Sequence, residues 1–407
     1  MKLQIFKVKN PKKFDITLLS ILLVMAATSI LAIYSAFHLI TLKNGPELIL
    51  KQLMWYGIGF IVLSIIMYIG NDSIYDFAKI AYWILLGCLF YLFINKEIIN
   101  RFFGLGTNLP FVYRVNGATS WFNFPGIGSF QPSEFMKIAL IIITAKIIDT
   151  HNENKIFHSF QSDIDLFIKI GKWVLPPLIL TFLQPDTGIV IITIISIGVM
   201  IVCSGIRKEW IIIAGGTIII SLVVFFFLYF FHFDFLSSLF GADGIYKLNR
   251  ITGWLNPEAD IRNTGNQLYT ALLALGSAGL IGHGVQVDII QIPEAQTDFI
   301  FAVFGQSFGF LGTLFILLLC LILDLKLCRI AMLSKNPFEK YFICGILGML
   351  LFQQVQNIGM IVGLLPITGI TLPMISYGGS SLLSYLIAFG IIMNISAKAR
   401  KLSDFVY

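Results

Sequence analysis

Runs of about twenty apolar residues recur along this chain from one end to the other, and nothing else constrains its fold so strongly. A run of that length crosses the hydrocarbon of a bilayer as one helix. A membrane β-barrel would instead alternate over roughly ten-residue segments, and no such alternation is visible. Composition agrees. Of 407 residues, 57% are hydrophobic and 12% are charged, and the mean hydropathy is +0.86; soluble proteins carry roughly 25% charged residues. The expected fold is all-α, a polytopic integral membrane protein forming a single domain over 1–407.

The predicted spans are 15–37, 50–69, 74–95, 133–149, 168–184, 187–204, 209–231, 298–325, 340–362 and 375–396. Their even number returns both termini to one side. Net charge is +6, and its placement sets the orientation, because short cytoplasmic loops collect Lys and Arg. With the N-terminus inside, Lys2 to Lys13, Arg207-Lys208, the stretch from Lys326 to Lys340 and that from Lys398 to Lys401 all fall inside. Segments 96–132, 232–297 and 363–374 fall outside, and the first two are too long for simple connectors. The second is predicted to hold an interfacial helix around Gln267 to Leu275 and a Gly-rich turn from Gly279 to Gly284. Lys96, Arg101, Arg114, Lys247, Arg250 and Arg262 break the charge rule on the outer side, where a basic residue can meet a phosphate.

The first apolar run is too long for a signal-peptide core and reads as a retained span. Five cysteines and five histidines show no disulfide framework and no metal-ligand spacing. A nucleic-acid role finds no support. No internal repeat is visible, so the inverted-repeat signature of many secondary transporters is missing.

Chemistry concentrates on the outer side. In the stretch from Gln291 to Ile300, Glu294 and Asp298 stand where a polar segment meets an apolar run. A carboxylate at the lip of a membrane helix is costly to place, which marks Asp298 as a functional candidate. A plain helix start, with Thr297 as N-cap and Asp298 favoured by the helix dipole, explains it equally well. In Gln131 to Lys137, Glu134 and Lys137 share one helix face, either as a structural ion pair or as the wall of an outward-facing cavity. Asp186, in the turn Gln184-Pro185-Asp186, either caps a helix or faces a ligand. Arg250 either holds a diphosphate with its planar fork or is a solvated surface charge. The irregular stretch Leu365 to Pro373 precedes Ser376-Tyr377-Gly378-Gly379-Ser380-Ser381, which reads as a cavity lining or as close helix packing.

Taken together and in order, these motifs resemble the SEDS family (RodA, FtsW, SpoVE), the polytopic enzymes that polymerise peptidoglycan glycan strands. The likeness rests on Asn116-Gly117-Ala118, the run Gln131 to Lys137, Gln184-Pro185-Asp186, Pro293-Glu294 with Thr297 to Ile300, and Ile375 to Ser381, and it covers Asp15 through Asn394. Gln356 to Met360 with Leu365 to Gly369 looks more like RodA than FtsW. Gln296 stands where many members carry His, which rules out a catalytic His at that position.

The resemblance implies a glycosyltransferase that joins lipid II to a glycan carried on undecaprenyl diphosphate, with Asp298 as the essential catalytic residue. It places the active site on the outer face of the cell membrane. Substrate-binding roles are expected for Glu134, Lys137, Asp186, Arg250, Glu294, Thr297, Ser376 and Ser380. A divalent cation (Mg²⁺ or Mn²⁺) is implied by the family alone. The implied partners are a class B penicillin-binding protein, packing its single span on spans eight and nine, with elongation-complex membrane proteins and membrane lipids around it. An elongation role is expected; division or sporulation with the same chemistry is the alternative. A lipid II flippase would need polar residues along a whole transmembrane path, whereas the candidates cluster at the outer face. A scaffold that only recruits the penicillin-binding protein would leave Asp298 without a task.

Overall fold

The computed structural model describes residues 14–39, 45–99, 109–115, 118–124, 128–155, 159–261, 263–285 and 289–403. The basic N-terminus, Arg101, Arg262 and part of the Asn116-Gly117-Ala118 motif lie outside them.

Helices dominate, and ten coincide with the ten expected spans. They are α1 (Ile16–Ala36), α2 (Gly45–Ile69), α3 (Asn71–Ile94), α4 (Pro132–Glu153), α5 (Phe160–Leu183), α6 (Thr187–Cys203), α7 (Lys208–Phe231), α10 (Ile300–Leu333), α11 (Pro337–Ile361) and α12 (Gly379–Ser403). Eight of them are long and apolar enough to cross a membrane by themselves. The other two, α4 and α6, are explained by their neighbours. Helix α4 carries Glu134, Lys137, Lys146, Asp149 and Glu153 but is buried along most of its length, packed on α3, α5, α6, α11 and α12. Helix α6 has only 17 residues and lies along α11.

Side-chain caps start several helices where the sequence allows them. Asp15 accepts from Leu18 N at 3.2 Å, Ser159 from Ser162 N at 3.2 Å, and Asn336 from Phe338 N at 3.0 Å. Ion pairs and a hydroxyl contact tie helix ends together on the side of the N-terminus. Asp15 meets Lys326 at 2.9 Å and Ser396 at 2.5 Å, Glu339 meets Lys398 at 3.0 Å, and Asp163 meets Lys155 at 3.1 Å.

Both long outer segments hold more structure than expected. Segment 96–132 forms a three-stranded antiparallel sheet, β1 (Val112–Val115), β2 (Ala118–Phe124) and β3 (Gly128–Phe130), in that spatial order. Phe122 pairs with Val112 on one side and Phe130 on the other, and its ring stacks on Tyr91 at 5.8 Å. Segment 232–297 is largely helical, with α8 (Phe233–Leu255) and α9 (Asn266–Ser277). Arg250 therefore stands on a helix, not on a loop.

The Gly-rich turn after α9 docks onto a break in α10. Gly309 sits at φ 65°, ψ −157°, conformations that only glycine adopts without strain. The interrupted backbone is re-paired by the turn: Phe310 N donates to Gly279 O at 2.9 Å and Leu311 N to Leu280 O at 3.1 Å. In return, His283 N donates to Gln306 O at 2.9 Å and Gly284 N to Ser307 O at 3.0 Å. Irregular backbone inside a membrane protein survives only when its polar groups are satisfied in this way.

Candidate active site

The loop before α10 and the strap 362–378 before α12 form the site together. Glu294 adopts φ 49°, and its carbonyl accepts from Thr297 N at 3.1 Å and Phe299 N at 3.4 Å, closing a tight turn. The helix then starts at Ile300, two residues later than expected, with Phe299 as N-cap and no side-chain cap bond. Thr297 does not cap it, and the Asp298 carboxylate is not used for capping. The capping half of the plain helix-start explanation therefore fails, while Asp298 still stands at the N-terminus of α10, where the helix dipole favours an anion.

Every backbone carbonyl from Gln296 to Asp298 is held by the strap or by α11. Tyr377 N donates to Gln296 O at 2.9 Å, Ser376 Oγ to Thr297 O at 2.7 Å, and Asn357 Nδ2 to Asp298 O at 2.8 Å. The strap itself is tied down along its length. Trp254 Nε1 donates to Gly363 O, Gln356 Nε2 to Pro366 O, both at 2.9 Å, and Asn357 Nδ2 to Ile370 O at 2.7 Å. Ser29 donates to Ile375 O at 2.8 Å and the Tyr56 hydroxyl to Met374 O.

The Asp298 carboxylate lies against Gly369. A Cβ added at Gly369 would stand 3.3 Å from Asp298 Oδ2 and 3.9 Å from Arg250 Nη1, so glycine here, at φ +74°, lets the acid and the guanidinium converge. Arg250 Nη1 also donates to Ile367 O at 3.4 Å. Asp298 is partly buried, and that burial, reinforced by the Glu294 negative charge, pushes its carboxyl up to about 6; Arg250 and the Thr297 hydroxyl oppose the shift. A carboxylate with this value is poised to take a proton near neutral pH.

Of the expected substrate-binding residues, Glu294, Thr297, Arg250 and Ser376 gather around Asp298. The Ser376 hydroxyl is committed, donating to Thr297 O and accepting from Leu372 N at 2.9 Å. Glu134, Lys137, Asp186 and Ser380 form a second group. Lys137 is sealed in the bundle, its side chain 1% exposed, 2.5 Å from Glu134 and with the Tyr385 hydroxyl at 3.5 Å. Asp186 caps α6 through Ile189 N at 3.4 Å and accepts from Gln131 at 2.7 Å and Ser133 at 3.3 Å. Burial and the nearby Glu134 push its carboxyl up to about 6. Ser380 accepts from Gln131 N at 3.0 Å and donates to Ser129 O at 3.1 Å, joining α12 to the end of the sheet.

The residues that link the two groups were missed in the sequence. Gln353 exchanges hydrogen bonds with Tyr385 at 2.8 and 3.1 Å, and Asn357, one turn further along α11, reaches Asp298. Four carboxamides at 353, 354, 356 and 357 inside an apolar span were the available signal.

Comparison with known proteins gives a consistent result. The family model of the FtsW/RodA/SpoVE cell cycle proteins matches residues 15–401. The chain is 31% identical over 399 residues to the Geobacter sulfurreducens protein named "Probable peptidoglycan glycosyltransferase FtsW", covering 97% of this chain and 98% of the relative. It is 32% identical to stage V sporulation protein E of Bacillus subtilis, covering 95% and 98%. Two solved structures share the fold at 22% identity, each covering 95% of this chain and 98% of its own. One is a chain of a peptidoglycan synthase complex, with TM-score 0.72, and the other is Thermus thermophilus RodA, with TM-score 0.62.

Proposed function

The chain belongs to the FtsW/RodA/SpoVE family and is a peptidoglycan glycosyltransferase, and from that premise we propose that Asp298 is the general base of glycan-strand polymerisation. The observation that carries this reading is a partly buried carboxylate raised to about 6, set near Arg250 and against Gly369, which places no side chain between them. A sugar hydroxyl on lipid II gives its proton to Asp298 Oδ2 as its oxygen attacks the anomeric carbon of the lipid-linked strand. The C–O bond to diphosphate breaks on the opposite face, so the anomeric centre inverts. Diphosphate leaves as a stabilised anion and needs no proton. One carboxyl therefore suffices, unlike the pair that most glycosidases use.

Arg250 is placed to meet the departing negative charge. Among the described residues no three metal-ligating side chains converge, but one or two carboxylates together with substrate phosphates are how magnesium is usually held. Such a cation, held chiefly by the substrate diphosphate, would neutralise its charge as a Lewis acid. Helix α7 has no buried residue, so its side chains are open to the bilayer, the side from which the lipid tails of the substrates would approach. The outer face is the side of the chemistry, on the strength of the basic loops at the other end.

The finer role we infer is cell elongation, supported by the RodA-like Gln356 to Met360 and Leu365 to Gly369. The FtsW and stage V sporulation names among the curated relatives support division or sporulation instead. A crosslinking class B penicillin-binding protein is the proposed partner. One structural relative comes from a complex that coordinates polymerization with crosslinking, and α10 offers exposed Leu317, Leu318, Leu321 and Leu325 to a partner helix.

Lipid II polymerisation by purified protein, with and without that partner and with moenomycin silencing classical glycosyltransferases, tests the reading. Long strands from wild type and none from folded Asp298→Ala are expected. Strands from both remove Asp298 as base; none from either directs the next assay to lipid II translocation in liposomes.

A further inference from the structure

Asn357 is fully buried on α11, and its Nδ2 donates to two backbone carbonyls at once, Asp298 at 2.8 Å and Ile370 at 2.7 Å. Those carbonyls belong to the two segments that meet at the carboxylate, the loop that carries Asp298 and the strap that carries Gly369. Both acceptors are carbonyls, so the orientation of the amide is fixed. Its Oδ1 faces away and is buried without a hydrogen-bond partner among the described residues. Leaving a buried carboxamide oxygen unpaired is unfavourable. A side chain needed only to pack α11 would do better as leucine, which has a similar volume and no such penalty.

We propose that Asn357 is a positioning residue for the glycosyl transfer: beside the bonds the strap itself makes to Gln296 O and Thr297 O, its amide holds the Asp298 carbonyl to the Ile370 carbonyl of the strap, and so sets where the base stands relative to the acceptor hydroxyl. The inference rests on Asp298 being the base. Its leverage comes from geometry, since displacement of a reacting group by about 1 Å can lower a rate about a hundredfold. The charged groups facing the carboxylate are Glu294 from its own loop and Arg250 from α8. The strap contributes no Asp, Glu, Lys or Arg, and the adjoining turns of α11 contribute none either. Loosening the clamp therefore changes the surroundings of Asp298 mainly by admitting water.

The test uses the full chain with its crosslinking partner and compares wild type with Asn357→Leu, Asn357→Ala, Gln356→Leu and Asp298→Asn in lipid II polymerisation across pH. Asn357→Leu and Asn357→Ala are expected to lose about tenfold or more in kcat while KM for lipid II stays within about twofold. The acid limb of the profile is expected to move to lower pH, because a better-hydrated carboxylate titrates lower. Gln356→Leu removes the amide that ties Pro366 but leaves the Asp298 carbonyl held, and should keep the acid limb in place. Wild-type kcat and an unmoved limb in Asn357→Leu would overturn the proposal, as would an equal shift in Gln356→Leu. Where the variants turn over too slowly for a profile, the pH midpoint of carbodiimide labelling at Asp298 in membranes gives the same reading. A lower midpoint in Asn357→Ala supports the clamp, and an unmoved one overturns it. Strands from Asp298→Asn would instead sink the base assignment; a dead Asp298→Asn beside a fully active Asn357→Leu would remove the positioning role alone.

Discussion

At the scale of the residue, Asp298 is defined by what it does not do. It caps no helix, and its carbonyl, not its carboxylate, carries the structural hydrogen bond to Asn357. The carboxyl raised to about 6 has a direct kinetic meaning. A base works only when ionised, so kcat/KM should rise with pH through about 6 and level off above it. Glu294 contributes to that elevation, so Glu294→Gln should shift the acid limb to lower pH, with the pH–rate profile as the measurement. An unmoved limb would mean that burial alone sets the value. Asp298, Glu294 and Arg250 were all legible in the sequence, because a charge beside an apolar run is visible without a structure. Asn357 was not, since a carboxamide shows its purpose only when its acceptors, at 298 and 370, are known.

At the scale of the element, the Glu134–Lys137 pair shares one face of α4, as its spacing of three requires. Sealed from solvent, it behaves as a buried ion pair, for which removing one partner typically costs about 3–5 kcal/mol while apolar replacement of both is often neutral or better. Glu134→Leu alone should therefore lower the thermal stability of the purified protein, and Glu134→Leu with Lys137→Met should restore it with polymerisation retained. A folded but inactive double variant would return the pair to the substrate site. Periodicity located the ten spans to within a few residues at most ends. It placed the Gly-rich turn at 279–284 but not its engagement with Gly309, because that pairing is between distant segments and leaves no periodic trace. The small sheet was missed for a related reason: a strand as short as Gly128–Phe130 carries too few residues to show alternation.

For the whole molecule, charge placement supports one orientation. Ion pairs pin α1, α10, α11 and α12 at the end assigned to the cytoplasm. The candidate loop before α10, the strap and the sheet gather at the other. A cysteine introduced by Glu258→Cys, in the exposed turn after α8, should react with an impermeant maleimide on intact cells. One introduced by Lys335→Cys, between α10 and α11, should react only after permeabilisation. The reverse pattern would invert the orientation and with it the side of the chemistry.

Helix α7 stands apart from this order. It touches the bundle near its ends, through Trp210 against Phe160 and Phe167 and through Tyr229 to Thr252, with none of its 24 residues buried. Such a helix is about 36 Å long, against hydrocarbon of about 30 Å. Contacts at both ends hold it, and the excess length is of the size that a modest tilt relieves, so its middle turns are left for lipid rather than protein to cover.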